Sequence, residues 1–215
     1  QNRDTIADAA GIPHDRVTVE FAHVGGDFGG KGDTTGTPIC YFLAKATGRP
    51  VKMTLGYDEE LMAMNPRHEA EMRVKVGVKR DGTLTAWESE IYFNSGAYGA
   101  YKPGPNVNLI GAREVAGPYK VPNVSIDAYQ VYTNTVPCGF HRAPGEFQGI
   151  FAGEQHMDVV AEELGMDPLE LRVKNAIHDG DDLPTGTRYQ DIMLEQVLRA
   201  AAEALASKCT RTLPK

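Results

Sequence analysis

The sequence predicts an α+β fold, with mixed and antiparallel sheets, one long hairpin and flanking helices. Three observations carry this. A β-like run, Arg16 to Phe21, passes through a glycine-rich loop into a helix around Tyr41 to Ala46, and a second β-like run follows at Val51 to Leu55. A long stretch alternates strictly from His68 to Lys79 and is answered by a second alternating stretch after Asp81-Gly82. From Glu146 onward the apolar residues recur at roughly helical spacing.

Taken in order, Arg3 to Ala10 reads as a short helix stopped by Gly11, with Pro13 just beyond. Val17, Val19 and Phe21 alternate with polar residues, as in a strand buried on one face. That strand feeds Val24-Gly25-Gly26-Asp27-Phe28-Gly29-Gly30-Lys31-Gly32. Glycines let the backbone of such a loop turn with positive φ and approach a ligand closely. The unpaired N–H groups that open the next helix favour an anion there. Phe28 is unusual for a plain solvent turn, because glycines flank the apolar ring on both sides. Two nucleotide fingerprints are excluded. The order G-G-D-F-G-G-K-G is not G-x-G-x-x-G, and Lys31 is followed by Gly32 and not by the Ser or Thr of a P-loop.

Gly48-Arg49-Pro50 stops the helix, and Val51 to Leu55 is predicted as the next strand. In the hairpin, Met72, Val74, Val76 and Val78 face one way, and Arg73, Lys75 and Lys79 the other. Asp81-Gly82 is a strong turn signal. On the returning strand, which should reach about Phe93, Leu84, Ala86, Glu88 and Glu90 share one face. Thr85, Trp87, Ser89 and Ile91 share the other. Ser95 to Pro105 is an aromatic, glycine-rich loop, Asn106 to Val115 a short helix ended by Gly117-Pro118, and Val124 to Thr133 another strand. A second notable loop, Val136 to Gly145, opens a helix from about Glu146 to Leu164. Its apolar positions are Phe147, Ile150, Phe151, Met157, Val160, Ala161 and Leu164, and Gly165 caps it. Asp167-Pro168 begins a helix to about Asn175, and Asp191 to Leu205 forms the last one. The portions 1–57 and 134–206 thus bracket a β-rich middle, 66–133.

Composition narrows the function. The 215 residues carry a formal charge of −7 and 41% apolar residues, enough for a core and without a basic stripe for nucleic acid. No apolar run is long enough to span a membrane. Cys40, Cys138 and Cys209 make neither a C-x-x-C metal pattern nor a disulfide framework, which fits a reducing, cytoplasmic setting. Gln1 in place of an initiating Met points to a processed or excised piece.

Two loops that each precede a helix stand out: Gly25 to Lys31, and His141-Arg142-Ala143-Pro144-Gly145-Glu146-Phe147-Gln148. The helical tail then reads Leu164-Gly165-Met166-Asp167-Pro168-Leu169-Glu170-Leu171-Arg172-Val173-Lys174-Asn175. In this order they resemble the molybdenum-cofactor-binding subunit of the xanthine dehydrogenase and aldehyde oxidase family, from about Arg3 to Leu205. The resemblance implies that 1–215 is part of a molybdopterin-binding region with that family's fold. It implies a molybdopterin, in simple form or as its cytosine dinucleotide, carrying molybdenum. Gly26, Asp27, Phe28 and Gly29 would lie against metal and pterin, with Arg142 and Ala143 at the matching place on the second loop. Phe28 and Arg142 would neighbour the molybdenum through their backbone. The implied reaction hydroxylates a carbon centre with oxygen from water, and the cofactor carries the difficult step. Electrons would leave through iron–sulfur clusters to FAD or another acceptor on partner domains or subunits. The catalytic base is expected in the remaining half of the cofactor-binding subunit, so this chain alone is expected to be inactive.

Departures from the family pattern bear on the substrate. Asp27 replaces a loop glycine, and its carboxylate either points away from an anionic cofactor or changes the local polarity. Gly32 stands where purine-hydroxylating members carry a glutamate, Ile110 where they carry an arginine, and Pro144 where a stacking phenylalanine belongs. These three positions mark the substrate pocket and favour an aldehyde or a (hetero)aromatic compound over xanthine. Gln1 lies too close to Arg3 and Asp4 to match the family's metal-facing glutamine without a deletion, so that residue is expected upstream. His141 adjoins the cofactor loop, whereas His23, His68 and His156 read as structural. Cys138 reads as a small buried residue and Cys40 as core. Asp58-Glu59-Glu60 and Glu162-Glu163 read as solvated helix charges, and Tyr98 and Tyr101 suit a substrate funnel or packing equally. A catalytically silent assembly module of a multi-subunit oxidoreductase is the alternative function.

Overall fold

The computed structural model describes residues 2–20, 22–31, 36–98, 109–183 and 186–208. The chain divides into two compact units. One comprises residues 1–69, 94–105 and 131–142; the other comprises 70–93, 106–130 and 143–215.

Among its described residues the first unit holds α1 (Asn2–Ala10), α2 (Gly36–Thr47) and α3 (Tyr57–Ala63), with a 3-10 turn (His14–Arg16) after α1. α1 ends where predicted, at Gly11 with φ +64°, and buries Ile6 and Ala7. The two β-like runs of this unit are a correction. Val17 and Val19 are half-buried between exposed neighbours, as alternation requires, but among the described residues neither 17–20 nor 51–55 joins a ladder. Alternation reports one-sided burial, whereas a strand also needs a neighbour within hydrogen-bonding distance. Phe21 lies outside the described residues. α2 corrects a second expectation. It buries no residue, Ile39, Phe42 and Leu43 are exposed, and Cys40 is only half-buried and not core.

The second unit is built on the predicted hairpin. β1 (Ala70–Val78) pairs antiparallel with β2 (Leu84–Gly96), and β3 (Val124–Tyr132) flanks β2. Trp87 N bonds Asn123 O at 2.8 Å, and further along the same strands the Tyr92 and Tyr129 rings stack with centroids 4.9 Å apart. These contacts advance in the same direction along both strands, so β3 runs parallel to β2 and the sheet is mixed, as predicted. One face assignment fails. Gly77 pairs with Ala86 but Val78 pairs with Leu84, so Thr85 is an extra residue on β2. The bulge returns Leu84 to the face of Trp87, and both are buried.

The remaining elements are α4 (Leu109–Ala112) with a 3-10 turn (Arg113–Ala116), α5 (Glu146–Leu164), α6 (Pro168–Asn175) and α7 (Leu194–Lys208). α7 starts after its predicted Asp191, which sits at φ +59° and cannot continue a right-handed helix. The core gathers Leu84, Trp87, Ile91, Phe93, Val115, Met157 and Leu171 around the sheet and α5. α5 has the predicted limits, and Met157, Val160 and Ala161 of its predicted apolar face are buried, but its first half buries another face. Phe147, Ile150 and Phe151 are 64%, 50% and 66% exposed, and the helix meets the 3-10 turn through Gly149 and Gly153. A Cβ on Gly153 would strike the Val115 carbonyl oxygen, so absent side chains set this packing distance. Asn175 then fastens the hairpin. Its Oδ1 accepts from Leu84 N at 2.9 Å, and its Nδ2 donates to the Gly82 and Leu171 carbonyls at 2.8 Å each. Asp167 caps α6 by accepting from Leu169 N and Glu170 N at 2.8 and 3.0 Å. Among the described residues no helix is long and apolar enough to cross a membrane.

Candidate cofactor site

The glycine loop of the first unit is a self-supporting turn. Gly30 N donates to Asp27 O at 2.9 Å, and Lys31 N donates to the Asp27 carboxylate at 2.5 Å. The Lys31 ammonium reaches back to the Val24 carbonyl oxygen. The Asp27 side chain is therefore spent on the loop's own backbone. One carboxylate oxygen thus helps to fold the loop.

Phe28 sits at φ +52°, a left-handed conformation rare for a bulky L-residue. Its ring is 64% exposed and lies against Gly26, where a Cβ would come within 2.7 Å of the ring. Gly29, at φ +98°, has no room for a side chain either, since a Cβ would meet Phe140 Cβ at 2.9 Å. Here the two loops meet, and Arg142 N donates to Phe28 O at 2.7 Å. Two segments far apart in sequence are joined backbone to backbone at the pair of residues singled out for the metal neighbourhood. Among the described residues, the amides of Gly26, Phe28 and Gly29 have no acceptor within the chain.

A third segment, which sequence reasoning did not single out, straps the second loop. Gly139 N donates to Pro66 O at 3.3 Å, and Asn65 Nδ2 donates to Phe140 O at 2.6 Å. One terminal nitrogen of Arg67 reaches both His141 Nδ1 and Arg142 O, at 2.8 Å each. Every residue from Gly139 to Arg142 is thus held by one of three consecutive residues. The only cue was a run of Asn, Pro and Arg with no helical or strand period. Cys138 is buried, as predicted, and its backbone N donates to Ser95 O at 3.0 Å. His68 is buried, while His23 and His141 are exposed.

In the second unit, Ala143 lies at φ +56°, so a second non-glycine residue of the predicted site is left-handed. Pro144 and Ile110 flank one contact: a Cβ on Gly111 would meet Pro144 O, at 2.5 Å, and the backbone of Gly145 and Glu146. Ile110 is half exposed beside it. Gly32, Gln1 and Tyr101 lie outside the described residues, and Tyr98 is exposed at φ +61°. A separate cavity of about 620 Å³ is lined by Val115, Ile150, Glu154, Ile177, Tyr189 and Leu194 among others, and no predicted site residue borders it. Next to it the Tyr119 hydroxyl donates to Glu154 at 2.7 Å, and Arg172 pairs with Glu154 and Asp158 at 2.8 and 2.7 Å. Burial, and then the bond to Glu154, hold the Tyr119 phenol well above its ordinary pKa, so it remains a donor.

Loops joined through their backbones, amides without an acceptor among the described residues and a close glycine approach are features suited to an anionic group. The donor set fits a pterin, which presents a phosphate and ring heteroatoms to such amides. Among the described residues no trio of His, Cys, Asp or Glu side chains gathers as a metal cage. Main-chain donors of this kind are what one class of cofactor-binding domains offers a ligand.

Comparison with known proteins specifies that class. The sequence profile of the molybdopterin cofactor-binding domain matches residues 1–176. The chain is 35% identical over 215 residues to the nicotinate dehydrogenase large molybdopterin subunit of Eubacterium barkeri, covering 98% of this chain and 50% of that protein. It is 36% identical over 217 residues to an aldehyde oxidoreductase of Megalodesulfovibrio gigas, covering 98% of this chain and 24% of that protein. The solved aldehyde oxidoreductase from Desulfovibrio gigas matches with a TM-score of 0.83 at 35% identity, over 98% of this chain and 24% of that one. The chain belongs to the molybdopterin cofactor-binding domain family, within the xanthine dehydrogenase and aldehyde oxidoreductase group. It spans half or less of the length of these relatives.

Proposed function

We propose that this chain is the molybdopterin-binding portion of a molybdenum hydroxylase that oxidises an aldehyde or a (hetero)aromatic substrate. The observation that carries the reading is the backbone bond from Arg142 N to Phe28 O, flanked by left-handed Phe28 and Ala143. Strain of this kind persists where a site requires it.

In this reading Gly26, Asp27, Phe28, Gly29, Arg142 and Ala143 bind the cofactor, and the backbone at Phe28 and Arg142 neighbours the molybdenum. The free amides of Gly26, Phe28 and Gly29 take the anionic parts of the pterin, in simple form or as its cytosine dinucleotide. Phe28, projecting from a rigid turn, closes one side against water. When bound, the cofactor supplies two-electron oxidation with oxygen from water. By resemblance Gly32, Ile110 and Pro144 are the substrate-pocket positions, and none of the three residue types supplies a charged handle, which suits an uncharged carbonyl or ring better than a purine. The base, the iron–sulfur clusters and FAD reside on the remaining half of the subunit and on partner subunits, in a cytoplasmic complex. The relatives named for nicotinate and for aldehyde support this substrate class.

Metal and pterin analysis of the chain co-expressed with its neighbouring segments tests the reading. Stoichiometric molybdenum and pterin phosphate are expected, and Phe28→Ala or Arg142→Ala should lower retention. A folded, metal-free complex would point instead to the silent assembly module. Unchanged retention in both variants would overturn the site assignment.

A further inference from the structure

We infer that Arg67 is a positioning residue of the cofactor clamp, which fixes the tautomer of His141 and so adds a side-chain donor to the backbone cradle. The inference rests on the cofactor-binding reading of this site. A guanidinium can only donate hydrogen bonds. At 2.8 Å from Arg67, His141 Nδ1 must therefore be the acceptor, and the ring proton of the neutral imidazole is placed on Nε2. The same Arg67 nitrogen donates to the Arg142 carbonyl at 2.8 Å. It thereby ties together the ring of one loop residue and the backbone of the next.

The geometry around this contact has no slack. Arg142 is bonded on both sides of its peptide unit, its N–H to Phe28 O and its carbonyl to Arg67. Asn65 fixes the preceding carbonyl, that of Phe140, whose Cβ packs where Gly29 has no side chain. With backbone and ring both fixed, the exposed imidazole offers Nε2–H from one defined place beside the Phe28–Arg142 pair. An N–H donor there suits an anionic or carbonyl oxygen of a bound pterin. Orientation of an imidazole by a hydrogen bond to its other nitrogen is a known device, and at metal-bound imidazoles losing it costs about 10- to 100-fold in affinity.

The test uses the intact parent protein with its partner chains. Wild type, Arg67→Met, Arg67→Lys and His141→Phe are compared by molybdenum and pterin content after dialysis, and by 15N-histidine NMR. Arg67→Met should stay folded by circular dichroism, lose cofactor roughly ten-fold faster and give His141 a mixed tautomer signal. Arg67→Lys keeps donors for Nδ1 and for the carbonyl, so it should restore both readouts. His141→Phe keeps the backbone tie and should also shed pterin faster than wild type, which tests the imidazole even if Arg67→Met does not fold. An Arg67→Met protein as fully loaded as wild type, or equal losses in Met and Lys variants with a common fall in melting temperature, would overturn the inference. Wild type that shows the single tautomer yet binds no pterin would overturn the functional reading while leaving the tie between Arg67 and His141 in place.

Discussion

The glycine loop of the first unit and helix α5 of the second use the same residue for opposite ends. At Gly29 the missing side chain serves an exposed turn, where φ is +98° and a second loop comes within contact. At Gly153 it serves a buried face, where α5 lies directly on the backbone at Val115. Around the first, polar bonds hold apolar and strained residues out in the open. Around the second, apolar burial holds the structure and the aromatic side chains of α5 turn outward. Glycine-rich sequence alone therefore does not mark a site. A left-handed bulky neighbour and a cross-loop backbone bond are what set Gly29 apart from Gly153.

That contrast is most easily broken from the buried side. Gly153→Leu places a side chain against the Val115 carbonyl, where the atoms it meets are backbone and cannot swing aside as a flexible side chain would. We expect a loss of about 3 kcal/mol, read as a lower denaturation midpoint. An unchanged midpoint would mean that α5 and the 3-10 turn can part freely. Asn175→Ala should follow closely, because it strands the Leu84 amide and the Gly82 carbonyl, both buried with it. A cost of about 2 kcal/mol is expected, and Asn175→Asp should recover only the Leu84 bond.

Much of the second unit was legible because its burial is periodic. The hairpin, its turn, and the limits of α5 and α6 follow from alternation, Asp81-Gly82, Gly165 and the Asp167-Pro168 cap. What failed there failed for packing reasons. The extra Thr85 shifts Leu84 to the other face, and two glycines displace Phe147 and Phe151 from the buried side of α5. In the first unit the reverse holds. Its strands were overcalled, because alternation at Val17 and Val19 cannot disclose whether a pairing edge is present. Its loops were found through composition and resemblance, yet the strap at Asn65 to Arg67 was not, since its hydrogen bonds span more than seventy residues and obey no local period.

Phe28→Gly sharpens the comparison on the exposed side. The ring buries little, and glycine accepts φ +52° without the left-handed penalty. Stability should rise by up to about 1 kcal/mol, while cofactor retention falls. Both quantities falling together would mean that the ring packs the loop and does not serve the ligand. The opposite signs are what a strained binding residue produces, in the way functional sites commonly give up stability.

The smallest effect concerns how the first unit is held away from its loops. His14 Nε2 meets Asp8 at 2.8 Å and Nδ1 meets Asp4 at 3.0 Å. The bond to Asp8 raises the His14 pKa above the ordinary 6.5; desolvation opposes it, and the charges of Asp8 and Asp4 add to the rise. A raised folded pKa means that the folded state holds the proton more tightly than the unfolded chain. The stabilisation is therefore complete below pH 6.5 and is lost as the pH climbs through the raised value. About half of the His14 side chain is exposed, so the change is small and screened by salt. Melting curves at pH 6 and pH 8 should differ slightly more in wild type than in His14→Gln, and the excess should shrink at high ionic strength. Gly153→Leu should leave this pH term untouched, since its damage is confined to the apolar packing of the other unit.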